Sequence, residues 1–95
     1  MNKKEHNDCP IAKVATLLSD PWTMLIIRDL LKGPMRFSDL ERSLVGISTR
    51  TLTSKIKNLE EEGVIKKEDN QYSITKKGSK LERIIDAMSD YGKHL

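Results

Sequence analysis

The chain has 95 residues, of which 33% are charged and 37% are apolar, and these values predict one small soluble domain. Lysine and arginine number 17 against 14 acidic residues, so the net charge is only +3, which excludes a strongly acidic chain but is weak evidence for nucleic acid. A single cysteine excludes a scaffold of intrachain disulfides. No apolar run approaches the roughly 20 residues that cross a membrane, and no secretion signal is recognisable, so we expect a cytoplasmic protein without a membrane partner.

The N-terminal third is predicted to hold an arm and two helices. Residues 1–8 form a flexible arm, and residues 9–95 form a single domain. The first helix opens at Cys9, because the proline that follows suits a first helical turn. The second helix has Asp20 as its N-cap and is apolar on nearly all sides over residues 22–31. A helix of that kind is buried, so we expect it at the centre of the domain.

The middle of the chain predicts a helix-turn-helix. A short extended piece at residues 35–37 precedes a helix that Ser38 caps, with Glu41 as its capping-box partner. After a tight turn that contains a glycine, Ser48 caps a longer helix that runs to Glu62. Two helices joined by such a turn are typical of a helix-turn-helix motif.

A β-hairpin is predicted to follow the second helix of this motif. Asp69 and Asn70 form its two-residue turn, since both tolerate a left-handed backbone. Thr75 caps a final helix whose apolar stripe continues to Leu95. The predicted fold is therefore mainly α with a small β-hairpin, in the order α-α-β-α-α-β-β-α. A helix-turn-helix followed directly by a hairpin is a winged helix-turn-helix.

The excess of positive charge is concentrated in residues 48–80, and no acidic residue occurs between Glu41 and Glu60. At 100° per residue, the helix that Ser48 caps has an apolar face and an opposite polar face that carries Arg50 and Lys57. Arginine pairs with guanine, hydroxyl groups contact bases or phosphates, and the N-terminal residues of such a helix reach base edges. A solvated polar face is the alternative for the helix, and solubility is the alternative for the hairpin lysines. The predicted DNA contacts are Arg36, Ser38, Ser48, Thr49, Arg50, Thr51, Thr53, Ser54, Lys57, Lys66 and Lys67.

Several short motifs of this chain occur together in one known family. They are Cys9-Pro10, Trp22, the segments LKGPMRF at 31–37, GIS at 46–48, LEEEG at 59–63 and YSITKKG at 72–78. Through them the chain resembles the HxlR-type transcriptional regulators, which are relatives of the MarR group. The resemblance implies a homodimer that binds double-stranded DNA at inverted repeats in prokaryotic promoters. It also implies dimerisation through the helices at the two chain ends, whose apolar stripes are Ile11, Val14, Leu18, Leu81, Ile84, Ile85, Met88 and Tyr91.

The chain departs from the family pattern at two places. Many members have Gly-Lys before the tryptophan, where this chain has Asp20-Pro21. Members also usually carry a longer hairpin between the positions that match Lys67 and Tyr72. The wing of this chain is therefore expected to reach less far toward the minor groove.

Cys9 matches a cysteine that many family members use to sense oxidants or electrophiles. Its place at a helix N-terminus favours the thiolate, although Asp8 beside it acts in the opposite direction. One interpretation is a redox switch, in which Cys9 bridges to Cys9 of the partner or is capped by a small thiol. The other is an interface cysteine without a regulatory role. His6, Asp8 and Cys9 do not match a zinc pattern, so we expect no metal and no cofactor.

The predicted function is that of a sequence-specific DNA-binding transcriptional regulator, with an oxidant or a small molecule as its effector. Blocking a promoter would make it a repressor, and activation stays open. The alternative is a winged-helix module that binds protein and not DNA. We do not expect an enzyme, because no catalytic set of side chains is recognisable and the two histidines, His6 and His94, lie at opposite ends of the chain.

Overall fold

The protein is described by a computed structural model over residues 9–95, so the predicted arm at residues 1–8 lies outside the described part. The elements follow the predicted order, with two helices, the helix-turn-helix, an antiparallel hairpin and a helical C-terminus. This arrangement confirms the mainly helical winged helix-turn-helix fold. The elements are α1 (Pro10–Leu17), α2 (Pro21–Lys32), α3 (Phe37–Ser43), α4 (Thr49–Glu61), β1 (Ile65–Glu68), β2 (Gln71–Ile74), α5 (Lys76–Ser79) and α6 (Glu82–Gly92).

Helix α2 lies at the centre of the domain, as its composition predicts. Asp20 caps it, since one carboxylate oxygen accepts the backbone N–H of Thr23 at 2.9 Å. Ile26 and Ile27 are completely buried, and α2 contacts α3, α4, α6 and β2. The apolar positions away from this stripe are half-buried, since they face the less tightly packed terminal helices.

The apolar face of α4 packs into the same core. Leu52, Ile56 and Leu59 are at most 3% exposed, which confirms the predicted division of this helix into two faces. Ser48 is the N-cap and accepts the backbone N–H of Thr51 at 3.0 Å. Gly63 ends the helix with φ at +74°, a left-handed conformation that glycine adopts without strain.

The hairpin and one residue before the helix-turn-helix form the β-structure. Asp69 and Asn70 have φ of +50° and +66°, and this confirms the predicted two-residue turn. Met35 exchanges both backbone hydrogen bonds with Tyr72, at 2.9 and 2.7 Å. The predicted extended piece is thus reduced to this bridge, because Phe37 already belongs to α3.

Helix α3 begins two residues earlier than the sequence predicts. Arg36 is its N-cap, and the carboxylate of Asp39 accepts the backbone N–H of Arg36 at 3.0 Å. The prediction that Ser38 caps the helix with Glu41 as its partner is therefore wrong. Asp39 takes that role because it stands three residues after the true cap, and Glu41 is free to make a different contact.

The single C-terminal helix of the prediction is two helices. Thr75 caps α5 as predicted, accepting the N–H of Gly78 at 3.0 Å. Lys80 and Leu81 then donate their N–H groups to carbonyls three residues back and not four. This tightened turn interrupts the α-helical ladder between α5 and α6.

Gly78 is the glycine of the described residues that lies closest to another backbone segment. A Cβ atom built at this position would lie 2.2 Å from the carbonyl oxygen of Val64. The same region is held by the hydroxyl of Thr75, whose single hydrogen is shared between the carbonyls of Gly63 and Val64. Any side chain at position 78 must therefore push α5 away from the base of the hairpin.

We expect Gly78→Ala to lower the free energy of unfolding by about 2 kcal/mol, because overpacking against backbone forces α5 to shift. The measurement is urea unfolding followed by circular dichroism. Gly92→Ala is the matched control, since nothing lies within 4 Å of a Cβ there and alanine favours the helix. A Gly78→Ala protein as stable as the Gly92→Ala protein would contradict the close contact.

Candidate nucleic-acid interface

The outer side of α4 gathers most of the predicted DNA contacts on one solvent-facing surface. Thr51 is half-buried. The remaining members are exposed, and they are Ser48, Thr49, Arg50, Thr53, Ser54 and Lys57. The apolar stripe of α4 holds the helix against the core, so this surface is presented as a unit. We call these seven residues the α4 face.

Two further predicted contacts lie at the start of α3. Arg36 and Ser38 are both exposed there, where the first backbone N–H groups of the helix are also free of intrahelical partners. In helix-turn-helix docking, the first helix crosses the sugar-phosphate backbone. Their placement therefore suits phosphate contacts and not base reading.

The acid-free stretch before Glu60 presents fewer free cations than the sequence suggests. Arg42 forms an ion pair with Asp39 on α3, and Lys55 pairs with a residue at the start of α2. Arg50 and Lys57 form no ion pair with any residue in the described range 9–95. The α4 face thus carries two cations that are unpaired within the described range.

The partner of Lys55 is Asp20. The ammonium nitrogen lies 2.9 Å from a carboxylate oxygen, and the two side chains are only 27% and 30% exposed. Asp20 also accepts the hydroxyl of Thr23 at 2.9 Å, so one carboxylate both caps α2 and anchors the middle of α4. Burial raises the pKa of Asp20, but the bonds from Lys55 and Thr23 outweigh burial and hold that pKa below its ordinary value of 3.8.

A second carboxylate, which the sequence analysis did not single out, joins α2 to α3. Asp29 is 3% exposed, although it lies within the helix predicted to be apolar. One of its oxygens accepts two bonds from Arg28, at 3.0 and 2.9 Å. The other accepts the hydroxyl of Ser43 at 2.6 Å. A buried carboxylate with partners for both oxygens is tolerated in a core, and here it fixes where α3 ends.

The two hairpin lysines do not act together. Lys66 forms an ion pair with Glu68 at 2.7 Å on one side of the strand. Lys67 lies with its ammonium group 5.6 Å from the ring centre of Tyr72. Successive residues of a strand point to opposite faces, so the hairpin presents these two charges in different directions.

The residues of the predicted dimer surface range from exposed to buried in a single chain. Ile11 and Tyr91 are 80% and 70% exposed, and Met88 is 45% exposed. Leu18, in contrast, is 8% exposed because it packs into the core of its own chain, and it also borders the apolar groove between the terminal helices, so its place in an interface stays a prediction. The half-buried members pack partly on the core, and they are Val14, Leu81, Ile84 and Ile85.

These helices border an open apolar groove of about 550 Å³. Its walls come from α1, from Met24 of α2, and from Ile84 and Met88 of α6. Neither α1 nor α6 contains a fully buried residue. Both terminal helices therefore leave apolar surface uncovered in a single chain.

Cys9 is exposed and is the N-cap of α1, without a hydrogen bond from its side chain to the helix. Over the same described range, no group of three or more histidine, cysteine, aspartate or glutamate side chains is placed to hold a metal ion. None of the helices described is long and apolar enough to cross a membrane.

We expect Asp20→Asn to lower the free energy of unfolding by about 1 kcal/mol at pH 7 and to reduce acid sensitivity. The folded pKa of Asp20 lies below the unfolded value of 3.8. Its contribution is therefore complete above pH 3.8 and is lost as the pH falls through the folded pKa. Urea unfolding at several pH values measures both effects.

The control for this prediction is Asp90→Asn, which removes an exposed carboxylate 3.7 Å from Lys93. Exposed pairs of this kind contribute little to stability, so this variant should unfold like the wild type at every pH. Equal behaviour of Asp20→Asn and Asp90→Asn would show that the contact with Lys55 does not stabilise the fold.

Known proteins share both the sequence pattern and the fold. The model of the HxlR-like helix-turn-helix family matches residues 17–95. YvaP of Bacillus subtilis, described as an uncharacterised HTH-type transcriptional regulator, is 37% identical over 99 aligned positions, which cover 96% of this chain and 90% of YvaP.

Two solved structures are similar over almost their whole length. Quinone-bound YodB from B. subtilis has a TM-score of 0.84 and 28% identity, with 92% of this chain and 100% of YodB covered. The redox regulator HypR in its oxidised form has a TM-score of 0.85 and 26% identity, with 92% of this chain and 97% of HypR covered. With a family model that matches most of its length, the chain belongs to the HxlR-like helix-turn-helix family of transcriptional regulators.

Proposed function

We propose that this protein regulates transcription as a homodimer that binds an inverted-repeat promoter site through the α4 face. The observation that carries this proposal is the α4 face itself. It combines two unpaired cations and a row of exposed hydroxyl groups on a helix whose opposite side is locked into the core. That combination is suited to the major groove, where a recognition helix meets both phosphates and base edges.

The two cations of the α4 face have different roles in this proposal. Arg50 lies in the first turn of α4, the part of a recognition helix that reaches base edges, and its guanidinium can pair with the O6 and N7 atoms of guanine. Lys57 lies two turns further along the helix and contributes a phosphate contact. Arg50 therefore supplies sequence preference, and Lys57 supplies affinity for any sequence.

The second copy of the chain is proposed to cover the terminal helices. Ile11, Met88 and Tyr91 expose apolar surface on α1 and α6, and a domain of this size gains stability by burying it. In a symmetric dimer the two α4 helices would enter successive major grooves, about 34–36 Å apart. Binding would then require an inverted repeat and would block a promoter that contains one.

Cys9 is the proposed site of regulation by oxidants or electrophiles. Its thiol is exposed at the N-terminus of α1, where an oxidant or electrophile can reach it. Two proteins of similar structure are known in such states, YodB bound to a quinone and the redox regulator HypR in its oxidised form. In this chain two Cys9 thiols, one from each copy, would lose two protons and two electrons to a two-electron oxidant and form one disulfide. A small thiol could instead take the place of the second chain.

We expect Arg50→Ala to reduce the preference for the operator over unrelated DNA by about 1–3 kcal/mol, because a bidentate contact to one base is lost. Lys57→Met should weaken binding to all sequences and lower the salt dependence by about one counterion. Fluorescence anisotropy at several salt concentrations, on operator and scrambled duplexes, separates the two effects.

Lys93→Met is the matched control, since it removes an exposed lysine beyond α6 and should change neither quantity. An unchanged preference in Arg50→Ala would remove α4 from the base-reading role. Failure of the wild type to bind or select any duplex would contradict the proposed regulator and favour a module that binds protein and not DNA. Binding of one chain per duplex would contradict the proposed homodimer.

Cys9→Ser should make DNA binding insensitive to diamide, whereas diamide should weaken or alter binding by the wild type. Diamide takes up the two electrons and two protons of the thiols and becomes the corresponding hydrazine. Non-reducing electrophoresis and mass spectrometry identify the product as a linked dimer or a mixed disulfide. Equal responses of wild type and Cys9→Ser would reject Cys9 as the switch.

A further inference from the structure

Several hydroxyl groups of the α4 face already donate their hydrogen inside the protein. A serine or threonine hydroxyl has one hydrogen to donate and two lone pairs that accept. Thr49 donates to a carboxylate oxygen of Glu41 at 2.8 Å, and Thr53 donates to the carbonyl of Thr49 at 2.8 Å. Ser48 and Thr51 share one hydrogen bond of 2.9 Å. The α4 face therefore offers DNA more acceptors than its composition suggests.

The bond between Thr49 and Glu41 differs from the others because its direction is determined. A carboxylate has no hydrogen to donate, so the shared hydrogen must come from the threonine. The bond between Ser48 and Thr51 can reverse, since either hydroxyl can be the donor. A bond to a charged acceptor is also stronger than one between neutral groups. Glu41 forms no ion pair with another described residue, so the hydroxyl of Thr49 is its strongest polar contact.

This bond restricts what Thr49 can recognise. Phosphate oxygens only accept hydrogen bonds, and the oxygens of Thr49 and Glu41 can only accept as well. In the major groove, the hydrogen-bond donors are the amino groups N4 of cytosine and N6 of adenine. Guanine and thymine present acceptors at the corresponding positions and offer Thr49 no donor.

We propose that Thr49 and Glu41 form a specificity-determining pair that accepts a hydrogen bond from the amino group of a cytosine or an adenine. Thr49 is the reader, because it is the first residue of α4 and is exposed where a recognition helix reaches bases. Glu41 is a positioning residue that sets the polarity of the threonine hydroxyl. The inference rests on the proposed function. In that function, Thr49 presents a hydrogen-bond acceptor to the bases beside the donor groups of Arg50.

The experiment is a binding-site selection from randomised duplexes with the purified full chain. The wild type should select an amino-bearing base, cytosine or adenine, at one position of each half-site. Thr49→Val keeps the shape of the side chain and removes its oxygen, so the preference at that position should fall about fivefold while the rest of the site is unchanged.

The variants at position 41 separate the role of Thr49, which contacts the base, from the role of Glu41, which orients the threonine hydroxyl. Glu41→Ala releases the hydroxyl hydrogen of Thr49, so guanine and thymine should become accepted at the same position. Glu41→Gln keeps an oxygen that can accept this hydrogen, and it should retain the wild-type preference. Glu60→Ala is the charge control, since it removes an exposed acid at the far end of α4 and should select the wild-type site. Circular dichroism of each variant verifies folding.

The outcomes distinguish this inference from the proposed function. A wild type that selects a clear site, together with an identical site for Thr49→Val, would overturn the pair and leave the regulator intact. A wild-type preference for guanine or thymine at the position that Thr49 controls would also overturn it. A wild type that enriches no sequence would remove the proposed function, and the pair with it.

Discussion

Ile26 and Ile27 of α2 are completely buried because the helix-turn-helix, strand β2 and α6 all pack around this one helix. This packing fixes α4 through its apolar stripe, so the side of α4 that faces away from α2 must face solvent. The orientation of the α4 face is thus a consequence of hydrophobic burial. Burial is non-directional, however, and does not by itself set the rotation of α4 or the place where α3 ends.

Three carboxylates form the directional contacts that set the rotation of α4 and the end of α3. Asp20 anchors Lys55, Asp29 holds Ser43, and Glu41 holds Thr49, so that each acid fixes one point of the helix-turn-helix. Individual hydrogen bonds contribute only about 1 kcal/mol to stability, but their geometry is narrow. The acids also change how the charge should be interpreted. The net charge of +3 does not show which cations can contact DNA, because some of them are already paired with acids of the fold. Among the described residues, only the unpaired cations are free to do so.

The terminal helices differ from the centre of the domain because their apolar surface is not fully buried in a single chain. The short chain builds its core from α2, the helix-turn-helix and the hairpin, and α1 and α6 remain outside it without a fully buried residue. Their apolar surface is therefore available to a second copy, and Cys9 stands at the start of the same α1 helix. The proposed interface and the proposed regulatory thiol share this helix, so a chemical change at Cys9 would be able to alter the spacing of the two α4 faces.

Local patterns in the sequence determined α1, α2 and α4, the Asp20 and Ser48 caps, the turn at Asp69 and the two faces of α4, because periodicity and capping depend on residues a few positions apart. The order of the predicted elements indicated the winged helix-turn-helix as a whole, and family motifs added the expectation of a homodimer on inverted repeats. The tertiary structure alone decided that Lys55 points to Asp20, that Leu18 faces inward, and that Glu41 meets Thr49. These contacts join separate elements, and side chains of the same type can face solvent, the core or a distant partner. Only the packing of α2 against its neighbours selects among those alternatives, and the chemistry of the α4 face depends on that selection.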